Sequence, residues 1–170
     1  TNFIDSLGMI KPEIAIAITL VVVLIFDLIF KEKKTIIPYI GIAGLVVTFL
    51  LLVAQFGQTA AAFFTRPGST IGLFALDPFS TFIKMIIVVS SVVVILMSIS
   101  SDEIKSVTAR SGEYYTLMFG MILGMMFLSS ATDFILIYVS VELMSLSSYV
   151  LAGFLKLQKR PSESSLKYMI

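Results

Sequence analysis

Glu142 stands near the middle of a long apolar run, in YVSVELMSLSSYVL (138–151), and Lys167 follows at the start of another apolar stretch. An ionisable group there has no water to hydrate it, and it costs roughly 2.5–3.5 kcal/mol on insertion scales. It is tolerated inside a bundle, usually because it carries a function. The chain contains no histidine and no cysteine, so haem, thiolate and iron–sulfur chemistry lack their usual ligands. The chemistry open to a buried carboxylate and a lysine is the movement of charge or protons.

Read at about 100° per residue, Tyr138, Glu142, Ser145 and Tyr149 recur at i, i+4, i+7 and i+11 and share one helical face. Leu143, Leu146 and Val150 fall away from that polar stripe and suit lipid or apolar packing. Burial favours the neutral form of Glu142 and a neighbouring cation favours the charged form. A group balanced between the two changes protonation when its neighbour's charge changes. The alternative is a permanent ion pair with a cation on another helix, with Ser and Tyr as interhelical hydrogen bonders.

Lys167 lies about five residues inside its helix, or ~8 Å below the membrane surface, whereas Glu142 is ~20 Å from that surface. The difference of roughly 12 Å disfavours a direct ion pair at ~4 Å. Coupling would run through water or through groups such as Ser145 and Tyr149. Taken alone, Lys167 reads either as a relay or as a lysine that snorkels to the interface.

The elements that hold these residues follow from composition. Hydrophobic residues make up 58% of the chain and charged residues 14%, and the mean hydropathy is +1.02. A soluble domain carries charge at about a quarter of its positions, so this is an integral membrane protein. The net charge of +1 and the lack of a large basic cluster exclude a nucleic-acid footprint.

A window of about 19 residues predicts an all-α, polytopic transmembrane bundle with five complete spans and the start of a sixth. The spans are placed at about 13–30, 36–56, 78–99, 113–129, 133–155 and, truncated, 162–170. The first run has no basic start and no small-residue cleavage pattern, so it reads as a true span. The chain opens on Thr1 and stops a few residues into an apolar segment, which reads as part of a longer polypeptide. The link 57–77 is rich in Gly, Thr, Ala and Phe; it fits a short hairpin, an amphipathic segment or a featureless loop.

Loop charge sets orientation. The odd links hold Lys31, Lys33, Lys34, Lys105, Arg110, Lys156, Lys159 and Arg160, and the even links hold only Arg66. The positive-inside rule places the odd links in the cytoplasm and the N-terminus outside.

Other charges have structural readings. Asp27 near Lys31 suggests an interfacial ion pair, and Lys84 suggests a snorkelling side chain. Asp77 and Asp133 suggest helix N-caps. Gly120 and Gly124 in GMILGMMF form a small-xxx-small pair for close helix packing.

The run ATDFILIYVSVELMSLSSYVLAGFLKLQKRPSESSLKYMI (131–170) resembles the N subunit family of NADH:quinone oxidoreductase, the respiratory complex I subunit similar to cation/proton antiporters. It joins the E-L-M-S-L-S-S-Y-V-L segment to the S-E-S-S-L-K-Y opening of the next helix, and FALDPFSTFIK (74–84) resembles the family's third-helix entry. The first two helices match only in pattern.

The resemblance implies an antiporter-like protein of about fourteen helices, with two half-channels joined by a polar axis. Glu142 falls on the family's helix-5 glutamate and Lys167 on its helix-6 lysine, with Tyr138, Ser145 and Tyr149 as a polar path. The family's central lysines would lie beyond Ile170. A proton-translocating, non-redox subunit of a multi-pass complex in the cell's inner (plasma) membrane is implied, rather than one in a thylakoid. No cofactor is expected in this chain; FMN, iron–sulfur clusters and quinone are expected in partner subunits. Its expected partners are the other membrane subunits, including neighbouring antiporter-like ones, together with lipids and protons. A cation/proton antiporter subunit of the Mrp type is the alternative, and a structural bundle with locked ion pairs is a third reading.

Overall fold

A computed structural model of the chain describes residues 8, 10–30, 34–56, 61–63, 72–101 and 111–154. Lys167 and the rest of the expected sixth helix lie outside the described residues. Five helices account for most of the rest: α1 (Lys11–Ile29), α2 (Ile37–Gln55), α3 (Pro78–Ser100), α4 (Ser111–Ser130) and α5 (Phe134–Phe154). A 3-10 turn, Lys34–Ile36, leads into α2. Two short strands, β1 (Ala61–Phe63) and β2 (Phe74–Leu76), lie between α2 and α3.

The helices are 19 to 23 residues long, so each reaches roughly 28–35 Å at 1.5 Å per residue. That matches the hydrocarbon core of a bilayer at ~30 Å. Proline opens α1, α2 and α3 in the first turn, where its missing N–H costs no helical bond. Four of the helices are long and apolar enough to cross a membrane by themselves: α1, α2, α3 and α5. The less apolar α4 is the central one. It packs against α5, α1 and α3 and touches α2, and its Gly112, Tyr115, Gly120, Gly124 and Ser130 are buried against protein.

α1 packs on α2 and α4, and α3 packs on the same two helices, which makes α1–α4 a ring with α1 and α3 on opposite corners. Buried positions of α3 recur as Thr81, Lys84, Val88, Ser91, Ile95 and Ser98, and those of α2 as Gly41, Leu45, Thr48, Leu52 and Gln55. Both follow the three-and-four spacing of a narrow packing seam. The shared core includes Ile16, Leu45, Val88, Ile95, Phe119 and Ile122. Interior hydroxyls are bonded within their own helices: Thr19 Oγ1 donates to Ala15 O (2.8 Å), Thr48 Oγ1 to Gly44 O (2.8 Å) and Ser91 Oγ to Ile87 O (2.7 Å). Such back-bonding satisfies a hydroxyl without a partner helix.

Two glycines bring helices into close contact. A Cβ on Gly44 would collide with the Thr19 side chain of α1, and one on Gly124 would meet Ser140 O and Met144 N of α5 at 3.0 Å.

The link 57–77 carries an antiparallel strand pair, with Ala62 opposite Ala75. Its second strand is tied to the α4–α5 connection. Thr132 N donates to Leu73 O (3.1 Å), Thr132 Oγ1 donates to Gly72 O (2.6 Å), and Phe74 forms a bridge with Ala131. Phe74 and Leu76 bury against Phe127, Leu136 and Ile10, which closes this end of the bundle.

Candidate functional site

α5 presents two faces. Ser140 and Ser147, 0% and 7% exposed, face α4, where the absent side chains of Gly120 and Gly124 make room. The opposite face holds the predicted stripe. Tyr138 and Tyr149 are 64% and 72% exposed, Glu142 is exposed and Ser145 is half-buried. Ser140 donates to Leu136 O at 2.6 Å, so the buried seam needs no polar group from the stripe.

Glu142 is the ninth residue of α5, roughly 12 Å from its start and 18 Å from its end at 1.5 Å per residue. Among the described residues it has no ion-pair or hydrogen-bond partner. The structure thus keeps Tyr138, Glu142, Ser145 and Tyr149 together on one face, turned away from α1–α4, while Lys167 lies outside the described residues. A carboxylate at that depth is costly against acyl chains alone. The stripe fits a surface covered by further protein or by water held within it.

The Asp133 carboxylate fixes the start of α5, accepting from Ile135 N at 2.8 Å while its carbonyl accepts from Ile137 N at 3.0 Å. Asp77 does the same for α3: Oδ1 accepts from Ser80 N at 2.9 Å, and the reciprocal Ser80 contact completes a capping box. The Asp27 side chain lies against Gly112 at the start of α4, at a distance that leaves no space for a Cβ there. Lys31, its expected partner, is outside the described residues.

Lys84 departs from expectation. Instead of snorkelling outward it is 2% exposed and forms an ion pair with Glu13, which is equally buried. A charge that can reach an opposite charge inside the bundle need not climb to the interface. α1 and α3 run in the same direction, and helical side chains lean toward their own N-terminus. Lys84, in the second turn of α3, therefore reaches back toward the end where Glu13 sits in the first turn of α1. Opposite charges in the opening turns of two parallel helices were the available signal, but spacing along one helix does not say which helices are neighbours.

No family model matches the chain. Curated relatives do. Subunit N 2 of NADH-quinone oxidoreductase from Chloroherpeton thalassium is 38% identical over 94% of this chain and 30% of its own length. Subunit N from Chlorobium chlorochromatii is 31% identical over 97% of the chain and 31% of its own length. NAD(P)H-quinone oxidoreductase subunit 2 from Gloeobacter violaceus is 35% identical over 96% and 30%. The chain spans about three tenths of the length of the relatives it matches. With several apolar helices and likeness along almost every residue, it is a multi-pass membrane protein homologous to these subunits. Along 94–97% of its residues, and about three tenths of theirs, it is homologous to NADH-quinone oxidoreductase subunit N and NAD(P)H-quinone oxidoreductase subunit 2.

Proposed function

We propose that this chain is part of a proton-translocating membrane subunit of an NADH-quinone oxidoreductase, in which Glu142 changes protonation as quinone is reduced elsewhere in the complex. One observation carries the reading. A carboxylate at mid-membrane depth lies on a polar face that the described helices leave open, in a protein homologous to subunits more than three times as long. A covered or water-lined carboxylate there can load and release a proton, whereas one facing acyl chains cannot.

Tyr138, Ser145 and Tyr149 supply hydroxyls along the same face for a hydrogen-bonded path. Lys167 would bias Glu142 from the cytoplasmic side through such groups, and redox events would act on the pair by electrostatic coupling. The subunit holds no redox cofactor; flavin, iron–sulfur clusters and quinone belong to its partners, which include the neighbouring antiporter-like subunits. The basic links place the N-terminus outside the cell's inner membrane.

The test uses the full-length protein in its assembled complex. Glu142→Gln and Glu142→Ala should each reduce redox-driven proton uptake in membrane vesicles by tenfold or more, with Glu142→Asp retaining more. Normal pumping by an assembled Gln variant rules out the role. For Lys167, arginine should preserve more activity than alanine, and equal activity of the two points to a snorkelling lysine.

A further inference from the structure

The ion pair between Glu13 and Lys84 lies outside the α5 stripe, and its surroundings indicate what it does. We propose that it is a permanent charge lock that joins α1 to α3 across the bundle, fixing their relative depth and passing no proton. The two helices occupy opposite corners of the ring and pack mainly on α2 and α4. Their two long side chains therefore span the middle of the bundle, each with only 2% of its surface exposed.

The interior closes beyond the pair. One turn further along, α1 presents Ile16 and α3 presents Val88, exposed by 0% and 1%. The neighbouring interior hydroxyls, Thr48 and Ser91, already donate to Gly44 O and Ile87 O. Among the described residues, a proton leaving the pair toward the membrane centre first meets the apolar side chains of Ile16 and Val88 and hydroxyls whose protons are already donated to backbone.

Each partner alone is an uncompensated charge in an apolar helix, whereas the two together hold one depth of α1 against α3. A buried pair can be replaced by matched apolar side chains with little loss, but removing one member leaves the other unpaired. A carrier behaves differently, since it fails when its ionisable groups go, however well the apolar replacement folds.

The experiment compares variants of the full-length protein in its native membrane. It measures the fraction resisting heat aggregation after detergent extraction and the proton uptake per assembled complex. Glu13→Gln and Lys84→Met should each shift the folding equilibrium by roughly 100- to 1,000-fold or more toward the unfolded state. The double variant Glu13→Met with Lys84→Met should recover parental heat resistance and parental proton uptake. Single variants as robust as the parent would overturn the lock. So would a double variant as fragile as the singles, since pairing would then not be the requirement. A double variant that assembles fully but no longer pumps would make the pair a carrier. The use of pumping as a readout rests on the proposed function; the order of heat resistance does not, and it tests the lock even if Glu142 proves irrelevant.

Discussion

Two ionisable residues of this chain, Lys84 and Glu142, are set in equally apolar surroundings of sequence and meet different fates. Lys84 is enclosed because Glu13 lies within reach on a parallel helix. Glu142 is exposed because α5 turns the serine side, not the glutamate side, toward α4. The partner decides, not the depth. The same holds at Asp77, whose carboxylate is engaged by the Ser80 backbone while its own N–H is engaged by the Ser80 hydroxyl at 3.4 Å. Removing the side chain leaves a helix-terminal N–H without its acceptor. Asp77→Ala should cost about 1 kcal/mol and Asp77→Asn only a few tenths, because asparagine keeps an acceptor oxygen. Thermal denaturation of the purified protein checks this: the alanine variant should melt first, and identical midpoints would show that the box contributes nothing.

At the scale of elements, the seam between α4 and α5 rests on two glycines with different tolerances. A Cβ on Gly120 would approach Ser147 Oγ at 3.0 Å, which a rotamer change can relieve; a Cβ on Gly124 would approach backbone atoms of Ser140 and Met144 at the same distance. Backbone cannot step aside without moving α5. Gly124→Ala should therefore destabilise by about 1–3 kcal/mol, as overpacking does, and Gly120→Ala by less than about 1. Melting of the two variants in detergent measures the order, and a less stable Gly120 variant would contradict it. This seam was legible as a small-xxx-small pair, as were the five helices, four of them apolar enough to cross a membrane alone, and the aspartate caps. All three are signals carried within one stretch of chain. The strand pair was legible only as one of several options. Three-residue strands carry little periodicity, and the bond from Thr132 to Gly72 that secures β2 joins positions 60 residues apart. The Glu13–Lys84 contact was missed for a related reason. Periodicity assigns a residue to a face of its helix, but the ring order of α1–α4 comes from packing among all four.

At the scale of the whole molecule, the ring α1–α4 is a closed unit with its own core, while α5 leans on it through one face and shows the other. The exposed face of α5 carries apolar residues such as Leu146 and Val150, 55% and 53% exposed, beside the Tyr138–Glu142–Tyr149 stripe. Lipid suits the first group and not the second, so α5 fits a boundary where the bundle meets further protein. Under the proposed function, the direction of proton transfer along such a boundary depends on which side the hairpin end faces. The proposed orientation, with the hairpin end outside, rests on the positive-inside rule applied to eight basic residues in the odd links against Arg66 alone in the even links. The absence of cysteine from this chain makes the point testable in full-length protein freed of any other cysteines. Arg66→Cys, in the link between α2 and α3, should react with a membrane-impermeant maleimide added to intact cells. Lys105→Cys, between α3 and α4, should react only after permeabilisation. Arg66→Cys leaves eight basic residues in the odd links against none in the even ones, and Lys105→Cys leaves seven against one, so neither substitution reverses the bias it reports. The reverse labelling pattern would invert the bundle and put Lys167 at the outer face, where it could not bias Glu142 from the cytoplasm.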